Sequence, residues 1–338
     1  MLFRSMTNRR QFLRTLGAAA GAWGTVQLAG HDSLRAQATR RQVSIGGRRM
    51  RVVDVHSHWD MPLGNLVKGT PFEEHATGPT LDERLPLMDR MGIDVSLISV
   101  NDFWWYDTPD QGLAKAICSA HNDELARQAK AHPGRIFGMA SVPLQFPALA
   151  AEMLQDATTR LGAKGVTVGG HVNGEPLSAP RFDPFWAKAA ELGTVVFMHP
   201  NGSANIIKPG ALAGKGGLGN VVGNPLETTV FLSRLILDGT FDKFPALKVC
   251  GAHGGGFLPS YFGRTEVACQ RPNANCANTK KPSEYLRQNL LADTMVFSEE
   301  GLRHLVAEMG VSQVVYGTDI PFNWPVTVDL VEIGRAHV

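Results

Sequence analysis

The sequence predicts a (β/α)8 barrel with a metal site at the carboxyl ends of its strands, and three observations carry that prediction. Eight short β-branched or apolar runs alternate with amphipathic stretches over about 280 residues. The composition, 43% hydrophobic and 19% charged, is that of a globular chain large enough for one such domain. Polar, metal-competent side chains recur where the runs end, and only a closed barrel gathers those ends around one pocket.

Taken in order, the strands are expected at 50–55, 94–100, 136–142, 164–168, 194–198, 247–251, 290–297 and 313–317, the seventh being the weakest pattern. Helices are expected between them, most clearly at 81–91, 112–131, 148–161 and 184–192, where apolar residues recur at helical spacing. Periodicity alone leaves a doubly wound parallel sheet as an alternative. No repeat of 20 to 50 residues and no low-complexity linker divides the region.

Both ends read as foreign to this pattern. Residues 1–38 hold Arg4, Arg9, Arg10, Arg14 and Arg35 against Asp32 alone. The twin arginine Arg9-Arg10 precedes Phe12-Leu13-Arg14 and an Ala/Gly-rich stretch, and Ala36-Gln37-Ala38 fits a cleavage site. This resembles a twin-arginine export signal, with Asn8 and Arg14 where that pattern prefers Ser and Lys. It implies a periplasmic or otherwise exported protein that meets the membrane only during export. With those five arginines and one aspartate set aside, 28 of 33 basic and 30 of 31 acidic residues remain. Such a balance builds no basic face, so nucleic-acid binding is not expected.

At the other end, residues 333–338 (IGRAHV) read codon for codon as an in-frame translation of a sequencing adapter. The expectation is a barrel spanning 39–332, incomplete at its carboxyl terminus, followed by an artefact. On that reading the helix that should cover the seam between strands eight and one is missing, since Pro321 and Pro325 oppose a helix directly after Asp319.

The chemistry favours the barrel over the doubly wound sheet. The first strand ends in VDVHSH, placing His56 and His58 two residues apart, on one face of a strand and within reach of one cation. His199 ends the fifth strand, His253 the sixth and Asp319 the eighth. In a doubly wound sheet these would be spread along an edge, whereas in a barrel they converge. A lone histidine at a strand end is ordinarily a hydrogen-bonded structural residue. Three imidazoles and a carboxylate in this order suit one divalent ion, zinc first, with manganese or iron(II) as alternatives. Gly254, Gly255 and Gly256 are expected to leave the pocket floor bare for close approach.

The segments VDVHSH, FMHP, AHGGGFLPSYFGR and YGTDIPF together resemble the metal-dependent amidohydrolase-related family, in the branch that contains aminocarboxymuconate-semialdehyde decarboxylase. HNDELA, HPGRIFGMASVPLQ, KGVTVGGHVNGEPL and FDKFPALKVCGAHGGG agree, so the resemblance runs from about Arg51 to about Trp324. It implies His56, His58, His199 and Asp319 as metal ligands and His253 as the acid/base beside them. Asp319 or His253 is then the proton donor in a decarboxylation. The resemblance also implies a homodimer in which Arg264 reaches the neighbouring subunit's pocket to bind a substrate carboxylate.

Two positions depart from that branch. The stretch 69–79 lacks its arginine and carries Glu73, Glu74 and His75, and Asn201 stands where a tryptophan follows the His-Pro pair. Both alter the walls and not the metal, which turns attention to the run Phe103-Trp104-Trp105-Tyr106, either as substrate-stacking residues, Trp104 and Trp105 foremost, or equally as a lid or packing patch. The leading expectation is a metal-dependent decarboxylase of an unsaturated or aromatic carboxylic acid. A hydrolase of a lactone, ester or amide using a metal-activated water is the alternative, and a catalytically silent exported binding protein is a third. His171 is a weak site candidate and Lys164 a structural residue rather than a carbamylated bridge. Met88 and Met91 read as core, and His121-Asn122-Asp123 as bonding locally or across helices. Cys118 and Cys250 read as buried thiols, whereas Cys269 and Cys276 could pair in an oxidising compartment, which spacing alone does not establish.

Overall fold

The computed structural model describes residues 40–203, 206–322 and 324. The export signal and the expected artefact lie outside the described residues. Eight parallel strands form in the expected order. They are β1 (Val53–His58), β2 (Val95–Ser99), β3 (Ile136–Gly138), β4 (Val166–Val168), β5 (Val195–Met198), β6 (Lys248–Gly251), β7 (Leu290–Asp293) and β8 (Val314–Val315). A helix follows each of the first seven: α1 (Arg84–Met91), α2 (Gln111–Ala131), α3 (Pro147–Thr159), α4 (Asp183–Leu192), α5 (Asn224–Leu237), α6 (Pro282–Gln288) and α7 (Glu299–Met309). Asp110 caps α2 by accepting from the amides of Gly112 and Leu113, and α1 and α4 end on left-handed Gly92 and Gly193.

Pairing runs β1–β2–β3 in one ladder and β4–β5–β6–β7–β8 in the other. A parallel bridge between Ala140 and Val166 joins β3 to β4. The seam between β8 and β1 closes through the Ser57–Ile320 bridge, with Val55 N donating to Tyr316 O (3.0 Å) and Asp319 N to His56 O (2.8 Å). First and last strands are therefore neighbours, which excludes the doubly wound alternative, where β8 and β1 do not pair.

β3 and β7 each end four residues earlier than expected, and β1 and β8 differ for local reasons. β1 begins three residues late because Arg48–Arg49 fold back antiparallel on Ser44–Ile45. β8 is short because Tyr316 to Ile320 leave β7 and reach across to β1. Buried Asp54 clasps this seam, taking the Thr318 hydroxyl at 2.7 Å and the Thr318 amide at 3.1 Å. The interior of the barrel is plugged by Val55, Leu97, Met139, Phe197, Cys250 and Ala252. The larger apolar cluster lies between strands and helices. Above the plug, the next inward positions are polar, and they make the site.

No described helix is long and apolar enough to cross a membrane. Cys269 and Cys276 form a disulfide, and Cys118 and Cys250 are buried thiols. Asp54→Ala should leave the Thr318 hydroxyl and amide unpaired in the seam and lower the unfolding free energy by about 3 kcal/mol. Denaturant titration checks this, and an unchanged midpoint would mean that the clasp carries no stability.

Candidate metal centre

The ladder between β1 and β2 shifts register between Asp54 and Ser57. Without that irregularity, strand alternation would put Val55 and His56 on opposite faces. With it, Val55 joins the interior plug while both His56 and His58 turn inward above it. On β8, Gly317 permits the close approach of the seam, since a Cβ there would lie 2.7 Å from the His56 Cβ and 3.2 Å from the Asp293 Cβ. Asp319 follows with φ 58°, a left-handed turn that aims its carboxylate back over the strand ends.

His56, His58, His199 and Asp319 are all buried, and one ligand atom from each lies within 4.8 Å of all the others. The Nε2 atoms of His56 and His58 each stand 3.1 Å from Asp319 Oδ1. None of these three atoms has a hydrogen-bond partner among the described residues. Buried polar atoms left so are costly. Atoms that converge on a point instead of on one another are what a divalent ion needs, and three imidazoles with a carboxylate are a donor set for one. These four residues form a site able to hold a single divalent ion.

The opposite ring nitrogens are occupied. His56 Nδ1 meets Asp293 Oδ2 at 2.5 Å, His58 Nδ1 meets Ser99 Oγ at 2.9 Å, and His199 Nδ1 meets the Pro200 carbonyl at 3.0 Å. Each bond fixes a ring and leaves Nε2 for a metal. Burial holds His58 down to about 4 and His199 well below the usual imidazole range, so both are neutral, as ligands must be. For His56, burial opposes charge, but the Asp293 carboxylate prevails and raises it to about 10. Burial likewise opposes charge on Asp319, yet contacts from His253, His56 and His58 hold its carboxyl far below the usual range.

Asp293 was not singled out by the sequence, because its strand has the weakest pattern and an aspartate at a strand end has no signature. Besides gripping His56, it accepts from the amides of His253 (3.1 Å) and Gly254 (2.8 Å). Those bonds hold His253 at φ 55° and bring its Nε2 to 3.7 Å from Asp319 Oδ2. Trp324 donates its indole N–H to the same oxygen at 3.1 Å, and the half-exposed Phe322 ring stands 5.9 Å from the His58 ring. Neither aromatic was foreseen.

Other expectations need correction. Gly254 and Gly256 do not clear the pocket floor. A Cβ on Gly254 would lie 2.4 Å from Val296 Cγ1, and one on Gly256 would lie 2.3 Å from the Pro225 carbonyl, so both serve the packing of this turn. Trp105 is fully buried with its indole N–H on the Val142 carbonyl, the packing alternative for this run. Trp104 is half-buried and stacks on His75 with centroids 3.9 Å apart. Asn201 is exposed directly after the His199-Pro200 pair.

His171 uses both ring nitrogens on backbone, at Gly202 and Gly174. Of the His121-Asn122-Asp123 trio, Asn122 bonds across to the Ser141 backbone, whereas His121 sits buried against Trp104 and Trp105 with no hydrogen-bond partner for either ring nitrogen among the described residues. Lys164 precedes β4 and lies beside the apolar plug, away from the strand ends that carry the histidines. Arg264 is exposed on the helix Phe262–Ala268 and has no ion pair among the described residues.

The family model for amidohydrolases matches residues 53–329. The chain belongs to the amidohydrolase family. It is 32% identical over 250 residues to 2-amino-3-carboxymuconate-6-semialdehyde decarboxylase of Dictyostelium discoideum, covering 71% of this chain and 66% of that protein's length. It is also 32% identical over 258 residues to gamma-resorcylate decarboxylase of Rhodococcus jostii, covering 72% of this chain and 77% of that protein. Among solved structures, 2,6-dihydroxybenzoate decarboxylase from Rhizobium superposes with a TM-score of 0.71 at 27% identity, covering 85% of this chain and 97% of that one. The barrel is thus the fold of this family.

His56→Ala combined with His58→Ala should abolish divalent-metal stoichiometry, whereas His253→Ala should retain it; elemental analysis of purified protein checks both. Because metal must displace the proton held on His56 below about pH 10, affinity should rise with pH from 6 to 9 with release of about one proton. Calorimetry in buffers of different ionisation enthalpy reads that proton. Metal uptake with no proton released would show that His56 is already neutral in the metal-free protein.

Proposed function

We propose that this chain is a metal-dependent decarboxylase of aromatic or unsaturated carboxylic acids. The observation that carries the reading is the pairing of His253 with Asp319 beside a three-histidine donor set, in a chain whose relatives above are named as decarboxylases. His56, His58, His199 and Asp319 would hold the ion, with zinc favoured by the imidazole-rich set. When bound, the ion supplies a Lewis acid that anchors the substrate's carboxylate or neighbouring oxygen and draws off negative charge.

The protein's own groups then manage one proton. The bond from the substrate carbon to its carboxylate breaks, leaving the electron pair on carbon, and carbon dioxide departs. The carbon takes a proton from the Asp319–His253 pair, which solvent restores. Asp293 holds the His253 turn so that its Nε2 faces Asp319, and Trp324 steadies the far oxygen of that carboxylate. Phe322 and Trp104 offer aromatic faces for a planar acid, with Asn201 as a polar neighbour. Arg264, exposed and without an ion pair among the described residues, fits a role across a homodimer interface, gripping a carboxylate in the adjoining pocket. The amino-terminal twin-arginine pattern supports export and a periplasmic site of action.

A panel of hydroxybenzoic and unsaturated acids tests the reaction. In D2O the product should carry one deuterium at the carbon that lost carbon dioxide. Hydrolysis of lactones or esters without carbon dioxide release would replace this reading by the hydrolase. His253→Ala should lower kcat by roughly 10²–10⁴-fold with metal retained. Arg264→Ala should raise KM for the acid without changing metal content. Mixing it with the metal-site double variant should recover activity, and mixed dimers that stay dead would end the trans-acting role.

A further inference from the structure

Two of the three candidate histidine ligands have a side chain on their outer nitrogen, Asp293 for His56 and Ser99 for His58. His199 has, among the described residues, only the Pro200 carbonyl, a group that a mobile turn would hold poorly. That carbonyl belongs to the same peptide unit as the Asn201 amide, and the Asn201 amide donates to Glu227 Oε1 at 2.9 Å. The carboxylate stands at the start of α5, buried to 1% exposure. The Gly170 amide, at the exit of β4, donates to the same oxygen at 2.9 Å. The other oxygen, Oε2, is buried without a hydrogen-bond partner among the described residues. Gly170 makes the room for this contact, since a Cβ there would lie 2.6 Å from both Glu227 Cγ and Oε1 and 2.8 Å from Met198 Cε.

We infer that Glu227 is a positioning residue for the metal centre, acting on His199 through the Pro200–Asn201 peptide. The chain of donors runs one way: His199 Nδ1–H to the Pro200 carbonyl, then the Asn201 N–H of that peptide to the carboxylate. A hydrogen bond on the amide side of a peptide makes its carbonyl a stronger acceptor. Glu227 therefore both fixes the plane of the peptide and strengthens its hold on the ring, leaving Nε2 of His199 directed at the other donors. The arrangement does for His199 what Asp293 does directly for His56, with one peptide unit interposed.

The cost of keeping an acid here supports a role beyond packing. Burial lifts the Glu227 carboxyl to about 7 even though the amides of Asn201, Gly170 and Gly202 all point at it. An apolar residue at the same place would avoid that penalty but would leave the Asn201 and Gly170 amides unpaired.

The inference rests on the metal-site reading and not on the reaction, so its test reads metal affinity in the full chain. Zinc affinity is measured by chelator competition, beside the thermal midpoint of the metal-free protein. Glu227→Ala should weaken zinc about 10–100-fold. Glu227→Gln, which keeps an oxygen for the Asn201 amide but no charge, should fall between Ala and wild type. Gly170→Ala, which displaces the carboxylate without altering it, should also weaken zinc. A purely structural Glu227 would lower the thermal midpoint and leave affinity at the wild-type value, and that result overturns the inference. If Glu227→Ala fails to fold, wild-type affinity in both Glu227→Gln and Gly170→Ala overturns it equally. A wild-type chain that binds no zinc or other divalent ion would instead remove the metal site, and the inference with it.

Discussion

The closure of β8 onto β1 is the constraint on which the rest of the molecule depends. Without it Asp319 would lie at a free sheet edge, far from any histidine. With it, the carboxylate stands 3.1 Å from two imidazole nitrogens contributed from the far end of the sequence. The seam is held by few bonds, because β8 is only two residues long and leaves its ladder early. Two of them, from the Thr318 hydroxyl and amide to buried Asp54, are charge-assisted, which makes each stronger than the backbone contacts beside them.

A second requirement follows from gathering four ionisable donors in one buried place. Imidazoles and a carboxylate taken out of water are stable only if each has a fixed partner and a common occupant. The protein meets this by giving every candidate histidine ligand a bond on its outer nitrogen and leaving Nε2 of His56 and His58 without a hydrogen-bond partner among the described residues. Burial then keeps His58 and His199 neutral, while the Asp293 carboxylate favours the protonated form of His56. Ligand geometry and protonation state thus have the same origin, namely which side chain stands behind each ring. The same carboxylate, Asp293, also holds the strained turn of His253, so the acid/base candidate and a metal ligand share one support.

The sequence by itself determined the alternation of strand and helix, the strand order and the candidate metal ligands. Those features are local: an HxH pair at a strand end, or a histidine after an apolar run, is visible within a few residues. All eight strands appear where their apolar runs lie, with offsets of up to four residues, the largest at the carboxyl ends of β3 and β7. What only the tertiary structure decided are the groups that act across distance. Asp293, Glu227 and Asp54 carry no motif, and each matters because folding sets it against a backbone or ring far away in the chain. Trp105 shows the converse. Its neighbour Trp104 lies half-open against His75 while Trp105 is sealed in the core, a difference set by which face of a short turn meets the barrel and invisible in a run of four aromatics.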